Sequence, residues 1–192
     1  MDHPTRIAEL VSAATRLPLL AVPLFPIVGV ASADAAGLPW AALCLFSTSG
    51  LSLLYLAYLV RSGRVADPRK ISQGERAGPL WVVAGLHSGG WMLVTLLGAP
   101  PELRAVLLSY ALATLAFALL TPLLKVSLHA AGAAGTLVCL TAVFGPWGLL
   151  SAPLLPLVWW ARTRLGRHTQ PELALGALIG GGGTLLSFGL IG

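Results

Sequence analysis

Apolar residues in this chain run together in long blocks, separated by short polar breaks or breaks rich in proline and glycine. About 20 apolar residues cross the hydrocarbon of a bilayer as a helix, and that ruler marks the elements. Residues 17–36 and 39–60 form the first two expected crossings, parted by Asp34 and Gly37. A polar loop, 61–76, follows. Residues 77–98 and 102–124 are the third and fourth, with Ala99, Pro100 and Pro101 as the turn between them. The fifth, 126–144, is broken by Gly145 and Pro146; the sixth, 147–161, is short but ends in Trp159 and Trp160, which suit the headgroup boundary. The seventh is 171–191.

The pattern predicts an all-α, polytopic integral membrane helix bundle. The count is six or seven, because Pro18, Pro23 and Pro26 crowd the first block and weaken its claim to be a regular helix. Ala31, Ser32 and Ala33 form a small-x-small site after an apolar stretch, so a cleaved signal peptide is an alternative for residues 1–33, although Asp2 and Glu9 argue against it. In the leader, residues 1–16, Ile7, Leu10, Val11 and Ala14 recur at helical spacing and predict an amphipathic helix lying on the membrane. Residues 1–192 are expected to form a single membrane domain, with this leader followed by a bundle over 17–192.

Composition agrees with the pattern. Of 192 residues 56% are hydrophobic and 10% charged, against a usual charged share of about 25%, and mean hydropathy is +0.84. Cys44 and Cys139 lie inside apolar runs with no metal-ligand or CxxC spacing, so packing is the better reading of each. Charge then supplies topology. If each block crosses once, residues 1–16, 61–76, the neighbourhood of Lys125 and 162–170 share one face. That face holds 11 of the 12 lysines and arginines, and Arg104 alone lies opposite. The positive-inside rule puts the crowded face in the cytoplasm. A prokaryotic plasma membrane is the expected location.

Three polar clusters meet on that face: RKISQGER at 69–76, KVSLH at 125–129, and ARTRLGRHTQPE at 161–172. An arginine at mid-bilayer costs roughly 2.5 to 3.5 kcal/mol, so these positions belong at the membrane edge or in a wet cavity. Each cluster precedes or opens a membrane helix, where unpaired N–H groups and the positive end of the dipole favour an anion. With guanidinium forks and a lysine added, the constellation reads as a phosphate cradle. His168 and Glu172 are four apart, so the carboxylate can hold the imidazole in one tautomer, as a histidine nucleophile requires. His129 can then protonate the leaving oxygen.

Structural roles compete for the same residues. Thr169 and Glu172 match a capping box, with Pro171 near the helix start, and on local spacing alone capping is the better reading of Glu172. Arg162, Arg164 and Arg167 taken alone read as an inside anchor, Ser127 as an N-cap, and His87 as a hydrogen-bonded residue inside the bundle. The GGGG run at 180–183 has no following lysine and no preceding strand, so close helix packing explains it better than a phosphate loop.

Together the three clusters resemble the type 2 phosphatidic acid phosphatase superfamily, membrane lipid phosphatases related to vanadium haloperoxidases, whose pattern is KxxxxxxRP, then PSGH, then SRxxxxxHxxxD. Arg162, His168 and Glu172 match the third block, with Ala161 for its serine and glutamate for its aspartate, and LALGALIGG follows as a small-residue helix. Ser127, Leu128 and His129 stand where Ser-Gly-His is expected. Arg69 and Arg76 have the separation of the first block, with Ala77 for proline and Lys70 one position off. Two crossings lie between the first two blocks, whereas in some family members those blocks share one loop.

The resemblance implies that His168 attacks phosphorus to form a phosphohistidine, oriented by Glu172, and that His129 is the general acid. It implies that Arg76, Arg162 and Arg69 or Lys70 stabilise the phosphoryl oxygens, that Ser127 donates a further hydrogen bond, and that no metal or other cofactor is needed. The expected activity is a lipid phosphate phosphatase working from the cytoplasmic side on a prenyl phosphate or diphosphate, phosphatidic acid or phosphatidylglycerol phosphate. Membrane lipids are the expected partners, with no nucleic acid. The alternative is a non-enzymatic bundle that binds anionic lipid, or a transport or assembly subunit.

Overall fold

The computed structural model describes residues 3–65 and 73–191, and side chains in the start of its fifth helix from Gly78 onward. The described residues are mostly helical, with no strand among them. In chain order the α-helices are α1 (His3–Ala14), α2 (Leu17–Ala33), α3 (Gly37–Leu45), α4 (Leu51–Arg61), α5 (Gln73–Leu96), α6 (Pro101–Leu120), α7 (Leu128–Phe144), α8 (Leu154–Arg164) and α9 (Gln170–Ile191). A single π-helical turn, Phe46–Gly50, joins α3 to α4 without breaking the rod.

Five stretches are long and apolar enough to cross a membrane: Leu17–Arg61, Gly78–Leu96, Pro101–Leu120, Leu128–Ser151 and Gln170–Ile191. The first is folded on itself. Asp34 takes a positive φ of 48° at the end of α2, a 3₁₀ turn follows, and α3 returns against α2. The outside of the bundle is apolar as well as the inside: Leu96, Leu150, Leu178, Leu185 and Leu190 are all more than half exposed. Leucines spread over several helices in this way suit hydrocarbon better than water.

Two local expectations differ from what is seen. The prolines of the first block do not prevent a helix, because α2 runs unbroken from Leu17 to Ala33. Pro18 sits in the first turn, where its missing N–H has no partner to lose, and α2 packs against α3, α6 and α7, whose contacts offset the bonds removed by Pro23 and Pro26. The sixth block is not one short α-helix. After Gly145, with φ 60°, residues Gly145–Ser151 form a 3₁₀ segment that folds back on α7, and α8 continues from it. A 3₁₀ turn rises about 2.0 Å per residue against 1.5 Å in an α-helix, which lengthens a segment that is short by residue count.

The contact that positions the polar clusters is between α7 and α9. A Cβ on Gly176 would overlap the Ser127 carbonyl, and one on Gly180 would overlap the Ala131 carbonyl, so both positions need glycine for the two helices to meet backbone to backbone. Within the GGGG run only the first glycine has this role, since nothing lies within 4 Å of a Cβ on Gly182. Cys44 and Cys139 are buried free thiols in the apolar core beside Phe25, Leu103 and Leu107.

Candidate functional site

The close α7–α9 approach brings the second and third polar clusters together. Helix α8 ends in a Schellman turn: Gly166, with φ 60°, donates its N–H to the Thr163 carbonyl (3.0 Å), and Arg167 N–H reaches the Arg162 carbonyl (3.0 Å). Three residues later α9 begins. This tight connection leaves Arg162 in the last turn of α8 and His168 just before α9, and both line one cavity.

Around His168 the bonds are specific. Its Nδ1–H donates to Glu172 Oε2 at 2.7 Å, and the side chain is only 7% exposed. The same carboxylate oxygen accepts the Thr169 backbone N–H at 3.3 Å, as the glutamate of a capping box does, and lies 3.5 Å from Lys125 Nζ. The two readings of Glu172 from spacing are therefore compatible, since one oxygen serves the helix start and the imidazole. Because Nδ1 holds the proton, Nε2 presents a lone pair. Burial holds this imidazole below its ordinary pKa of 6.5; the nearby Arg162 and Lys125 charges act in the same direction, and the Glu172 hydrogen bond opposes them.

Lys125 ties the two clusters directly. It stands on the extended segment between α6 and α7, and its ammonium also donates to the Arg167 carbonyl at 2.9 Å. Ser127 N–H donates to the Glu172 carbonyl at 3.2 Å. The Ser127 hydroxyl is fully buried and accepts the Ala130 N–H at 3.4 Å, so it caps α7. His129 lies in the first turn of α7 and donates Nε2–H to the Ser12 carbonyl at 3.0 Å; a carbonyl can only accept, which fixes the proton on that nitrogen. Arg162, 8% exposed, donates from Nη1 to Ser12 Oγ at 2.7 Å.

Lys125, His129, Arg162 and His168 line a single cavity of about 580 Å³, lined elsewhere by Ser52, Tyr55 and Thr121 and by apolar residues including Leu59, Leu80, Val83 and Phe117. Of the first polar cluster, Arg69 and Lys70 lie outside the described residues. Arg76 falls in the first turn of α5, and its side chain is also outside the description, but Pro79 and Leu80, three and four residues on, line this cavity. Among the described residues no three His, Cys, Asp or Glu side chains gather as metal ligands would.

Ser12 is the residue that spacing did not single out. It belongs to α1, where Ala8 and Ser12, with Thr15 just past the helix end, are buried while Ile7 and Leu10 are exposed. A small-residue stripe at i, i+4, i+7 in the leader was the available signal, beside the apolar face that marks the helix as amphipathic. His87 is not part of this cluster: it bonds Ser52 Oγ through Nε2 (3.2 Å) and Thr114 Oγ1 through Nδ1 (3.3 Å) inside the bundle.

Compared with family models, curated proteins and solved structures, the chain matches none. The case for a function rests on the cavity.

Proposed function

We propose that the chain is a membrane lipid phosphate phosphatase that works through a phosphohistidine on His168. One observation carries this reading: two imidazoles, a guanidinium and an ammonium from separate stretches of the chain line the same cavity, whose remaining lining is mostly apolar. That cavity shares Ser52, Leu80, Val83, Phe117 and Leu128 with a second one among the helices, so an apolar tail has a continuous path behind a cationic head site. The resemblance to the type 2 phosphatidic acid phosphatases points the same way.

The chemistry follows from the protonation pattern. The Nε2 lone pair of His168 attacks phosphorus, the bond from phosphorus to the lipid oxygen breaks, and that oxygen takes a proton from His129. Water, giving a proton back to His129, then attacks the phosphohistidine, and the N–P bond breaks to release phosphate. Arg162 and Lys125 neutralise the phosphoryl oxygens, joined by Arg76 and by Arg69 or Lys70 from the first cluster. Glu172 holds the nucleophile's tautomer. Ser127 acts by starting α7 beneath His129. The substrate class is a prenyl phosphate or diphosphate or a glycerophospholipid phosphate.

The bundle has seven crossings in this reading, because α2 and the α3–α4 rod form a hairpin and the Gly145–Ser151 segment extends α8 to a full return. The active face is cytoplasmic, where the cations gather. Phosphate release from a panel of lipid phosphates in detergent tests the activity: His168→Gln and His129→Gln should each lower it by roughly a thousandfold or more with the protein still folded. An anionic-lipid binder is the second reading, supported by the structural roles of Ser127 and Glu172 as helix caps. It predicts no phosphate release and unchanged lipid affinity in both variants.

A further inference from the structure

We infer that Ser12, in the last turn of the N-terminal helix, is a positioning residue for this site: its hydroxyl orients the Arg162 guanidinium, and its carbonyl fixes which nitrogen of His129 exchanges a proton. The inference rests on the phosphatase reading above and names a residue that neither motif spacing nor the resemblance supplies.

The geometry is specific. A single residue accepts from two groups that lie 117 and 150 positions away in sequence, His129 Nε2 at 3.0 Å and Arg162 Nη1 at 2.7 Å. Its carbonyl lies in the last turn of α1, at the negative end of the helix dipole. A cationic guanidinium and an imidazole N–H are the complements of that end. The attachment is firm: Ala8 is fully buried, Ser12 and Thr15 are under 10% exposed on the same face, and α1 packs along α8, the helix that carries Arg162.

Two consequences follow for the chemistry. With Nε2–H committed to a carbonyl, the proton that His129 gives to the leaving oxygen and later recovers from water must be on Nδ1; the carbonyl steadies the cationic imidazolium before the first event and after the second, and holds the neutral ring in its Nε2–H tautomer between them. With Nη1 of Arg162 donating to Ser12 Oγ, the guanidinium plane is fixed, so the side chain meets a phosphoryl group without first losing rotamer freedom. The helix that borders the membrane thus completes the site.

The test uses the full chain in detergent with three measurements. Ser12→Ala removes the hydroxyl and keeps the carbonyl, and Ser12→Thr restores a hydroxyl. The Kd for inorganic phosphate by calorimetry should rise about tenfold in Ser12→Ala and return to within about twofold of the parent in Ser12→Thr. KM for the best lipid phosphate substrate should rise with it while kcat changes less. A merely structural role would lower the melting temperature and the folded fraction but leave Kd per folded molecule unmoved, and that result overturns the inference. Tighter phosphate binding in Ser12→Ala also overturns it, because Ser12 would then be a competitor for the site. In ¹⁵N-histidine spectra, with His129 assigned by its loss in His129→Gln, the neutral ring should be the Nε2–H tautomer; an Nδ1–H ring refutes the carbonyl's role. A parent chain that neither binds nor releases phosphate removes the phosphatase reading, and this inference with it, which is distinct from an active parent indifferent to Ser12.

Discussion

One oxygen of Glu172 receives the His168 Nδ1–H and the Thr169 N–H and faces the Lys125 ammonium. Replacing it by Gln leaves the shape and makes the tautomer ambiguous. Glu172→Gln should lower kcat by about a hundredfold or more while helix content by circular dichroism is unchanged. The pH dependence has a defined sign. His168 titrates below its ordinary 6.5, so at pH 7 it is neutral and nucleophilic. As pH falls through the depressed value the ring protonates at Nε2 and loses its lone pair, and the acid limb of log kcat/KM should therefore lie below pH 6.5; a limb above it contradicts the buried, cation-flanked setting. The spacing of His168 and Glu172 made this pair legible, because i and i+4 meet wherever a helix begins. Ser12 was not legible, since its partners are more than 100 residues away and only the packing of α1 on α8 brings them within reach.

At the scale of elements, the site depends on how closely α7 and α9 approach. Gly180→Ala forces a methyl group into the Ala131 carbonyl and Gly176→Ala one into the Ser127 carbonyl, so each should destabilise the bundle by about 1–3 kcal/mol and lower activity by shifting His129 against His168. Gly182→Ala meets open space and should stay within about 0.5 kcal/mol of the parent or gain slightly from helix propensity. Thermal unfolding in detergent ranks the three. Block lengths predicted most of the helices to within a few residues, because hydrocarbon thickness sets a length that sequence displays directly. The α2 prolines and the 3₁₀ start of the sixth block were harder, since tertiary packing decides whether a helix survives a lost N–H, and apolar count does not register a change of rise per residue. Gly166 illustrates the same limit: its place after ARTRL has the position of a C-cap, but only the Schellman bonds show how it sets Arg162 against His168.

For the whole molecule, the cationic cavity lies where the ends of α1, α4 and α8 meet the starts of α5, α7 and α9. In the proposed orientation, the charge asymmetry of the loops puts that end in the cytoplasm. A single thiol introduced as Ser62→Cys, with Cys44 and Cys139 buried, should resist an impermeant reagent in intact cells and react in inverted vesicles; labelling from outside would reverse the orientation. Convergence of the second and third clusters was legible from parity and charge. The contact between Lys125 and the α8–α9 turn was not, because it depends on small residues at one helix crossing. The central claim is that this cavity passes a phosphoryl group through His168, and the most direct measurement is rapid-quench trapping with a ³²P-labelled lipid phosphate followed by peptide mapping. The account predicts an acid-labile, base-stable label on Nε2 of His168 that accumulates within one turnover and is absent in His168→Gln. Turnover with no protein-bound phosphate, or with the label on another residue, would contradict it.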